Sequence, residues 1–427
     1  MSLEVGTLEA LADTMVLMLP RLTDNGARLA AILPTAIASL ALGLDQDPSQ
    51  TTLGRPVPSG IPTVRSMLVI AVDGLGYANL KAFAGHARAL NSLPIRRIET
   101  VLPSTTGAAL TSLTTGYLPG EHGLIGYRIR HPQLGLITTL KDWDGIEDPR
   151  QWQRATPLFG AANALGIRTI VIGRPAHAQG GLTDAILRGA EYHSGQRIEE
   201  RFAIASAALR SQQATLAYLY VDELDRAGHS EGWQSEAWVR RLEQLDEAMD
   251  SLLRSLPGDV GVVLTADHGM LDVTPEHHVI LDDGSFPLGG VEAIGGEPRL
   301  RSLYLDASTD AADTVEALQA ALGKSAWVGT RDEAIEAGWF GPVADGVAQR
   351  LGEVLVAARG RNAFVLRSED PASLRMVGQH GGLSDDERGV PLALGGALTG
   401  TSFAASVREL ASTPPETLAA ESESTER

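Results

Sequence analysis

Residues 67–74 read MLVIAVDG, an unbroken apolar run that stops at Asp73-Gly74. A run this short, apolar on both alternating faces, is expected of a strand buried on both sides of a parallel sheet. Working outward, IRTIVIG (167–173), TLAYLYVDE (215–223) and VGVVLTADHG (260–269) repeat the form. Between them lie helical stretches at 197–212 and 235–256, the second charged and amphipathic. Alternating β and α segments predict an α/β fold, a mostly parallel sheet covered by helices on both faces. Ligands of such sheets bind beyond the carboxyl ends of the strands. Asp73, Asp225 and Asp267 all fall at or just after such ends, so fold and chemistry point to the same edge.

The chain has 427 residues, 44% hydrophobic and 21% charged, which is ordinary for a soluble globular protein. We expect one large domain over residues 1–410, with an inserted lobe at about 280–360. The lobe segment is rich in glycine and turn signals, with a strand candidate RSLYLDA (301–307) and a helix candidate at 311–322. From residue 411 to 427, Pro, Ser, Thr and Glu dominate, and a disordered acidic tail is expected. A formal net charge of −18 argues against tracking a nucleic-acid backbone by bulk electrostatics.

Cysteine is absent, which excludes disulfides, thiolate zinc sites and cysteine nucleophiles. The first residues carry acidic side chains and no basic n-region, unlike a signal peptide. The uncharged run 29–44 is interrupted by Pro34 and is shorter than the ~20 residues a membrane span needs. A buried helix fits there, and a cytoplasmic protein with no membrane partner is expected.

Four further motifs carry chemistry. In Pro103-Ser104-Thr105-Thr106-Gly107, a hydroxyl stands at the start of a helix, where the macrodipole favours a developing alkoxide and an incoming phosphate. Free threonine is a weak nucleophile, so a metal must activate it; the plainer role for Ser104 or Thr105 is a helix cap. In Asp225-Arg226-Ala227-Gly228-His229, an Asp and a His at i and i+4 face one metal from a single helical turn. Such a pair alone is more often a surface salt bridge. Asp267-His268-Gly269 follows a buried strand, where an unpaired carboxylate would cost several kcal/mol. His380 sits between glycines in Gly378-Gln379-His380-Gly381-Gly382 and can complete the ligand set of the first metal.

The order of these motifs, from Asp73-Gly74 through Thr106, Asp225…His229 and Asp267-His268-Gly269-Met270 to His380-Gly381, resembles the alkaline phosphatase superfamily. Within it, the chain is most similar to the type I phosphodiesterase / nucleotide pyrophosphatase family, over residues 66–400. The resemblance implies an alkaline-phosphatase-like three-layer α/β/α sandwich with two zinc ions. Manganese is compatible with the same donors. One ion would be held by Asp225, His229 and His380, the other by Asp73, Asp267 and His268. Thr106 would be the nucleophile and form a phospho-threonine, with Thr105 as the alternative register.

That family places an asparagine after the His-Gly that follows the nucleophile helix; here Tyr127 stands there, beside Arg128 and Arg130. Tyr127, Arg128 and His177 are candidate substrate contacts, with Arg130 and Trp143 as further ones. His277 and His278 are expected on the surface or the lobe. The implied substrate is a small phosphodiester or nucleotide rather than a polymer. A phosphomonoesterase or phosphonate hydrolase on the same scaffold is the alternative, and an inactive binding protein would require a broken ligand set. The lack of cysteine argues against a sulfatase.

Overall fold

In the computed structural model, which describes residues 18–418, the apolar runs become strands of one seven-stranded sheet. In chain order the strands are β1 (Ser66–Val72), β2 (Ile95–Glu99), β3 (Arg168–Gly173), β4 (Glu191–Ser194), β5 (Thr215–Val221) and β6 (Val260–Thr265). A second sheet follows, made of β7 (Val291–Glu297), β8 (Leu300–Leu305), β9 (Ala326–Thr330) and β10 (Val354–Ala358). Strand β11 (Gly389–Gly396) then returns to the first sheet. The order is β2-β11-β6-β1-β5-β3-β4. Strand β11 runs antiparallel to both its neighbours, and the other pairings are parallel.

Strand β1 sits between β5 and β6, with Ile70 opposite Leu219 on one side and Leu264 on the other. Every residue of β1 is buried, and each large aliphatic side chain so buried contributes roughly 1.5–3 kcal/mol. The principal helices are α1 (Ala27–Gly43), α2 (Thr106–Thr115), α3 (Gly181–Leu187), α4 (Ile198–Leu209), α5 (Glu223–Glu231), α6 (Glu236–Ser255), α7 (Ala311–Leu322) and α8 (Phe403–Ala411). Helices α1, α2 and α8 pack as one group and α4 with α6 as another, and each group reaches β1. The result is the expected mixed α/β architecture around a mostly parallel sheet.

Helix α6 shows how local sequence sets this packing. Ser235 caps it by accepting the Trp238 N–H at 3.2 Å. Trp238, Leu242, Leu245, Met249 and Leu252 then form its buried stripe at helical spacing. Helix α1 is buried almost throughout despite Pro34, and no described helix is long and apolar enough to cross a membrane.

The strand candidate at 301–307 is β8, and the helix candidate at 311–322 is α7. Strand β8 belongs to the four-stranded antiparallel sheet β7-β8-β10-β9 and α7 packs on that sheet, with an apolar cluster of their own around Leu303, Leu318, Val356 and Phe364. Beyond α8 the chain continues to residue 418, where the Glu416 N–H donates to Leu53 O at 3.0 Å. The acidic end of the expected tail, 419–427, and the first 17 residues lie outside the described residues.

Candidate functional site

Asp73 follows β1, and its backbone N–H still bonds to Val221 O of β5 at 2.8 Å. Gly74 then turns with φ +72°, and a Cβ there would come within 3.0 Å of the Asp225 Cα. Only glycine lets the end of β1 approach α5 this closely. Helix α5 presents Asp225 and His229 one turn apart, Oδ1 to Nε2 at 3.2 Å. From the 378–382 loop, His380 Nε2 reaches to 3.2 Å from His229 Nε2 and 3.9 Å from Asp225 Oδ1.

Beyond β6, Asp267 is fully buried, and its Oδ1 accepts the N–H groups of His268 at 3.0 Å and Gly74 at 3.3 Å. The ring of His268 stacks on that of His380, centroids 3.6 Å apart and 9° from parallel. Its Nε2 lies 3.2 Å from Asp73 Oδ1, 3.6 Å from Asp267 Oδ2 and 3.3 Å from Thr106 Oγ1. Thr106 is the first residue of α2, and Thr105 is its N-cap in extended conformation. The Thr105 side chain makes no capping bond, so the plain cap role does not hold for it.

The tautomers follow from the partners. His229 Nδ1 donates to Gly378 O at 2.8 Å, His380 Nδ1 to Ser104 O at 2.9 Å, and His268 Nδ1 to Gly269 O at 3.1 Å. Each ring therefore turns Nε2 inward, which is how backbone carbonyls orient metal-binding imidazoles. Burial holds His229 down at about 4 and His380 well below the usual histidine range. Burial would lower His268 too, but Asp267, Asp73 and Asp225 outweigh it and push the ring up to about 10. Burial, reinforced by Asp73, raises Asp225 and Asp267 well above ordinary carboxylates.

Asp73 Oδ1, Asp225 Oδ1 and Asp267 Oδ2 are buried without a hydrogen-bond donor. Among the described residues, the ion pairs of these carboxylates run only to histidines. Three orphaned carboxylate oxygens facing three inward Nε2 atoms are a donor set that fits divalent cations. Asp225, His229 and His380 bring one ligand atom each within 4.8 Å of one another, and so do Asp73, Asp225 and His268. Asp225 thus belongs to both groups, a sharing that the sequence did not suggest.

Around this cluster opens a cavity of about 860 Å³. Tyr127, Arg128 and His177 all line it. His177 is held by Asp222 Oδ2 at 3.2 Å, which Arg174 also donates to at 3.0 Å. Two further candidates turn away. Arg130 lies over the Tyr304 ring at 4.3 Å, and Trp143 is buried with its Nε1–H on Thr139 O at 2.8 Å. His277 pairs with Thr274 Oγ1 at 3.0 Å outside the cavity lining, and His278 belongs to a short strand beside 363–365.

Several site residues escaped the sequence. Tyr220, near the end of β5, donates its hydroxyl to Asp73 Oδ2. Glu297, from the lobe segment where no site residue was expected, lines the cavity. Glu387 braces the His380 loop by accepting the Gly382 N–H at 2.8 Å, and Arg299 grips it with two bonds of 2.9 and 2.8 Å. Only the period-two pattern of β5 could have flagged Tyr220 in advance.

Comparison with known proteins gives the family of the chain. The model of the type I phosphodiesterase / nucleotide pyrophosphatase family matches residues 67–383. Ectonucleotide pyrophosphatase/phosphodiesterase family member 1 of Rattus norvegicus is 25% identical over 252 residues, 55% of this chain and 27% of that protein. The chain therefore spans about a quarter of the length of that curated relative. Inactive murine ectonucleotide pyrophosphatase/phosphodiesterase 5 in complex with AMP shares the fold at TM-score 0.62 and 16% identity, over 82% of this chain and 96% of that one. Phosphonoacetate hydrolase from Sinorhizobium meliloti 1021 does so at TM-score 0.58 and 19% identity, over 82% and 97% of the two chains. With the family model running from β1 past α2 to beyond the last histidine of the cluster, the chain belongs to the type I phosphodiesterase / nucleotide pyrophosphatase family of the alkaline phosphatase superfamily.

Proposed function

We propose that the chain is a metal-dependent hydrolase of phosphodiester or pyrophosphate bonds that works through a phospho-threonine on Thr106. The observation that carries this reading is the inward-facing set of orphaned carboxylate oxygens and Nε2 atoms, with Thr106 Oγ1 3.3 Å from one of them at a helix start. Asp225, His229 and His380 would hold one ion, and Asp73, Asp267 and His268 the other, with Asp225 near both. Zinc suits these donors and manganese is compatible. When bound, such ions lower the pKa of a hydroxyl and neutralise charge on phosphoryl oxygens.

The chain's own groups do the rest. Thr106 Oγ1 attacks phosphorus in line with the leaving oxygen, so that the Thr–O–P bond forms as the ester bond breaks. The unpaired N–H groups in the first turn of α2 point at the phosphoryl oxygens and favour their charge. Water then cleaves the phospho-threonine, and one diester plus one water gives an alcohol and a monoester. Asp222 and Arg174 fix His177 in the cavity wall, and Tyr127 and Arg128 stand beside it. These three residues would contact the substituents on phosphorus. A small nucleotide fits a cavity of this size, and the AMP complex of the murine relative supports that class.

Hydrolysis of bis-p-nitrophenyl phosphate and of p-nitrophenyl phosphate by zinc-loaded protein tests the reading. A strong diester preference is expected. A monoester preference would favour the phosphomonoesterase alternative instead.

A further inference from the structure

Ser104 stands two residues before Thr106, where a helix cap is the plain expectation, and it is fully buried. The N-cap of α2 is Thr105 instead, and Ser104 turns to the 378–382 loop. Each of its polar atoms is engaged there. Its N–H donates to Gly381 O at 3.4 Å, and its carbonyl accepts the His380 Nδ1–H at 2.9 Å. Its Oγ accepts the Gly381 N–H at 3.1 Å and donates to Gly382 O at 3.0 Å.

One hydroxyl acting as acceptor and donor fixes two backbone groups at once. Gly381 and Gly382 are both buried, so loss of the hydroxyl would leave a buried N–H and a buried C=O unpaired. Gly381 has φ +113°, a conformation that glycine adopts readily, and neither glycine has a side chain to pack. The loop is held by its bonds, from Ser104 on one side and from Glu387, which accepts the Gly382 N–H at 2.8 Å, on the other.

These contacts close a circuit through the site. The His380 ring stacks on His268 at 3.6 Å, and His268 Nε2 lies 3.3 Å from Thr106 Oγ1. Thr106 in turn is two residues along the chain from Ser104. We propose that Ser104 is a positioning residue, its hydroxyl clasping the 380–382 loop to the start of α2 so that His380 and Thr106 keep a fixed relative placement. The inference rests on the phosphoryl-transfer reading above. A hydroxyl clasp carries no charge, so it does not depend on the protonation of the cluster or on the cations near it.

The test compares Ser104→Ala with Ser39→Ala in the full chain. Ser39 is equally buried in α1, and its hydroxyl donates to Pro62 O outside the cavity lining. It matches the loss of a buried hydroxyl without touching the loop. Partners that orient metal-binding imidazoles typically account for 10–100-fold in metal affinity. Ser104→Ala should therefore hold one of its zinc ions ~10-fold more weakly in a chelator competition. On bis-p-nitrophenyl phosphate at saturating zinc it should keep a deficit of ~10-fold in kcat with KM unchanged. In metal-free protein the amides of 378–382 should exchange with solvent faster than in wild type. Ser39→Ala should share any drop in melting temperature and none of the other changes. Wild-type zinc affinity in Ser104→Ala, a kcat restored in full by saturating zinc, or equal effects in Ser39→Ala overturns the proposal. If the wild type hydrolyses neither that diester nor p-nitrophenyl phosphate, the hydrolase reading fails, and zinc affinity and amide exchange still decide whether Ser104 clasps the loop.

Discussion

His229 and His380 point their Nε2 atoms at each other across 3.2 Å, while each commits its Nδ1–H to a backbone carbonyl. Two lone pairs held face to face in a buried pocket repel unless a cation lies between them. Asp225 Oδ1 stands 3.2 Å from the first ring Nε2 and 3.9 Å from the second, so an oxygen donor is there to help hold one.

Because Asp225 also reaches the group formed with Asp73 and His268, its loss should reach further than the loss of a single histidine. Asp225→Ala is expected to bind less zinc per chain than His380→Ala, as read by elemental analysis after gel filtration. Equal zinc content in the two variants would remove Asp225 from its shared position.

Tyr220 orients Asp73 through its hydroxyl. Partners of this kind typically account for 10–100-fold in metal affinity. Tyr220→Phe should therefore weaken zinc binding by roughly 10–100-fold in a competition titration with a chelator. An unchanged affinity would mean that Asp73 holds its orientation without the phenol.

The pair Arg299–Glu387 is fully buried and braces the loop that carries His380. Removing one partner of such a pair leaves an uncompensated charge and costs ~3–5 kcal/mol. Arg299→Met is expected to lower the urea midpoint accordingly, and Arg299→Met with Glu387→Gln to recover part of the loss. A loss no smaller in the double variant would mean that the stranded charge is not the cause.

Glu297 sets a pH dependence whose sign is fixed by its protonation. The folded chain holds its proton up to about 8, whereas the unfolded chain releases it near the ordinary value of 4.5. Between those limits the folded state binds more protons, so stability falls as pH rises, by up to ~1.4 kcal/mol per unit for one group. Glutamine does not titrate. In metal-free protein, Glu297→Gln should therefore gain stability relative to wild type from pH 5.5 to pH 8, measured by urea unfolding. A constant difference between the two would contradict the buried acid.

The parts of this molecule that were legible in the sequence are those whose signal is local. Strands β1, β3, β5 and β6 announce themselves because burial on both faces demands unbroken apolar runs. Asp73, Asp225 and Asp267 stand at the ends of those runs or just beyond them, and the Asp225–His229 spacing encodes one helical turn. Strand β11 was hidden because Pro391 and three glycines dilute its pattern, and edge strand β2 because its consecutive Arg96 and Arg97 break the apolar alternation. His380 gained meaning only from the order of the motifs, since an isolated loop histidine has no periodicity. Glu297 and Tyr127 are 170 positions apart, and Arg299 and Glu387 are 88 apart. No local rule joins such pairs. Arg130 and Trp143, open to either role in the sequence, take the packing one, since amphipathic side chains near a site pack as readily on a neighbour as on a ligand.

The most direct test of the central claim is the activity and zinc content of Thr106→Ala, measured beside wild type on bis-p-nitrophenyl phosphate. The predicted result is near-normal zinc with turnover abolished, together with loss of wild-type turnover in excess EDTA and its return with added Zn²⁺. Wild-type-like hydrolysis by Thr106→Ala would contradict the assignment and point to Thr105, and wild-type turnover that survives exhaustive chelation would contradict the metal centre itself.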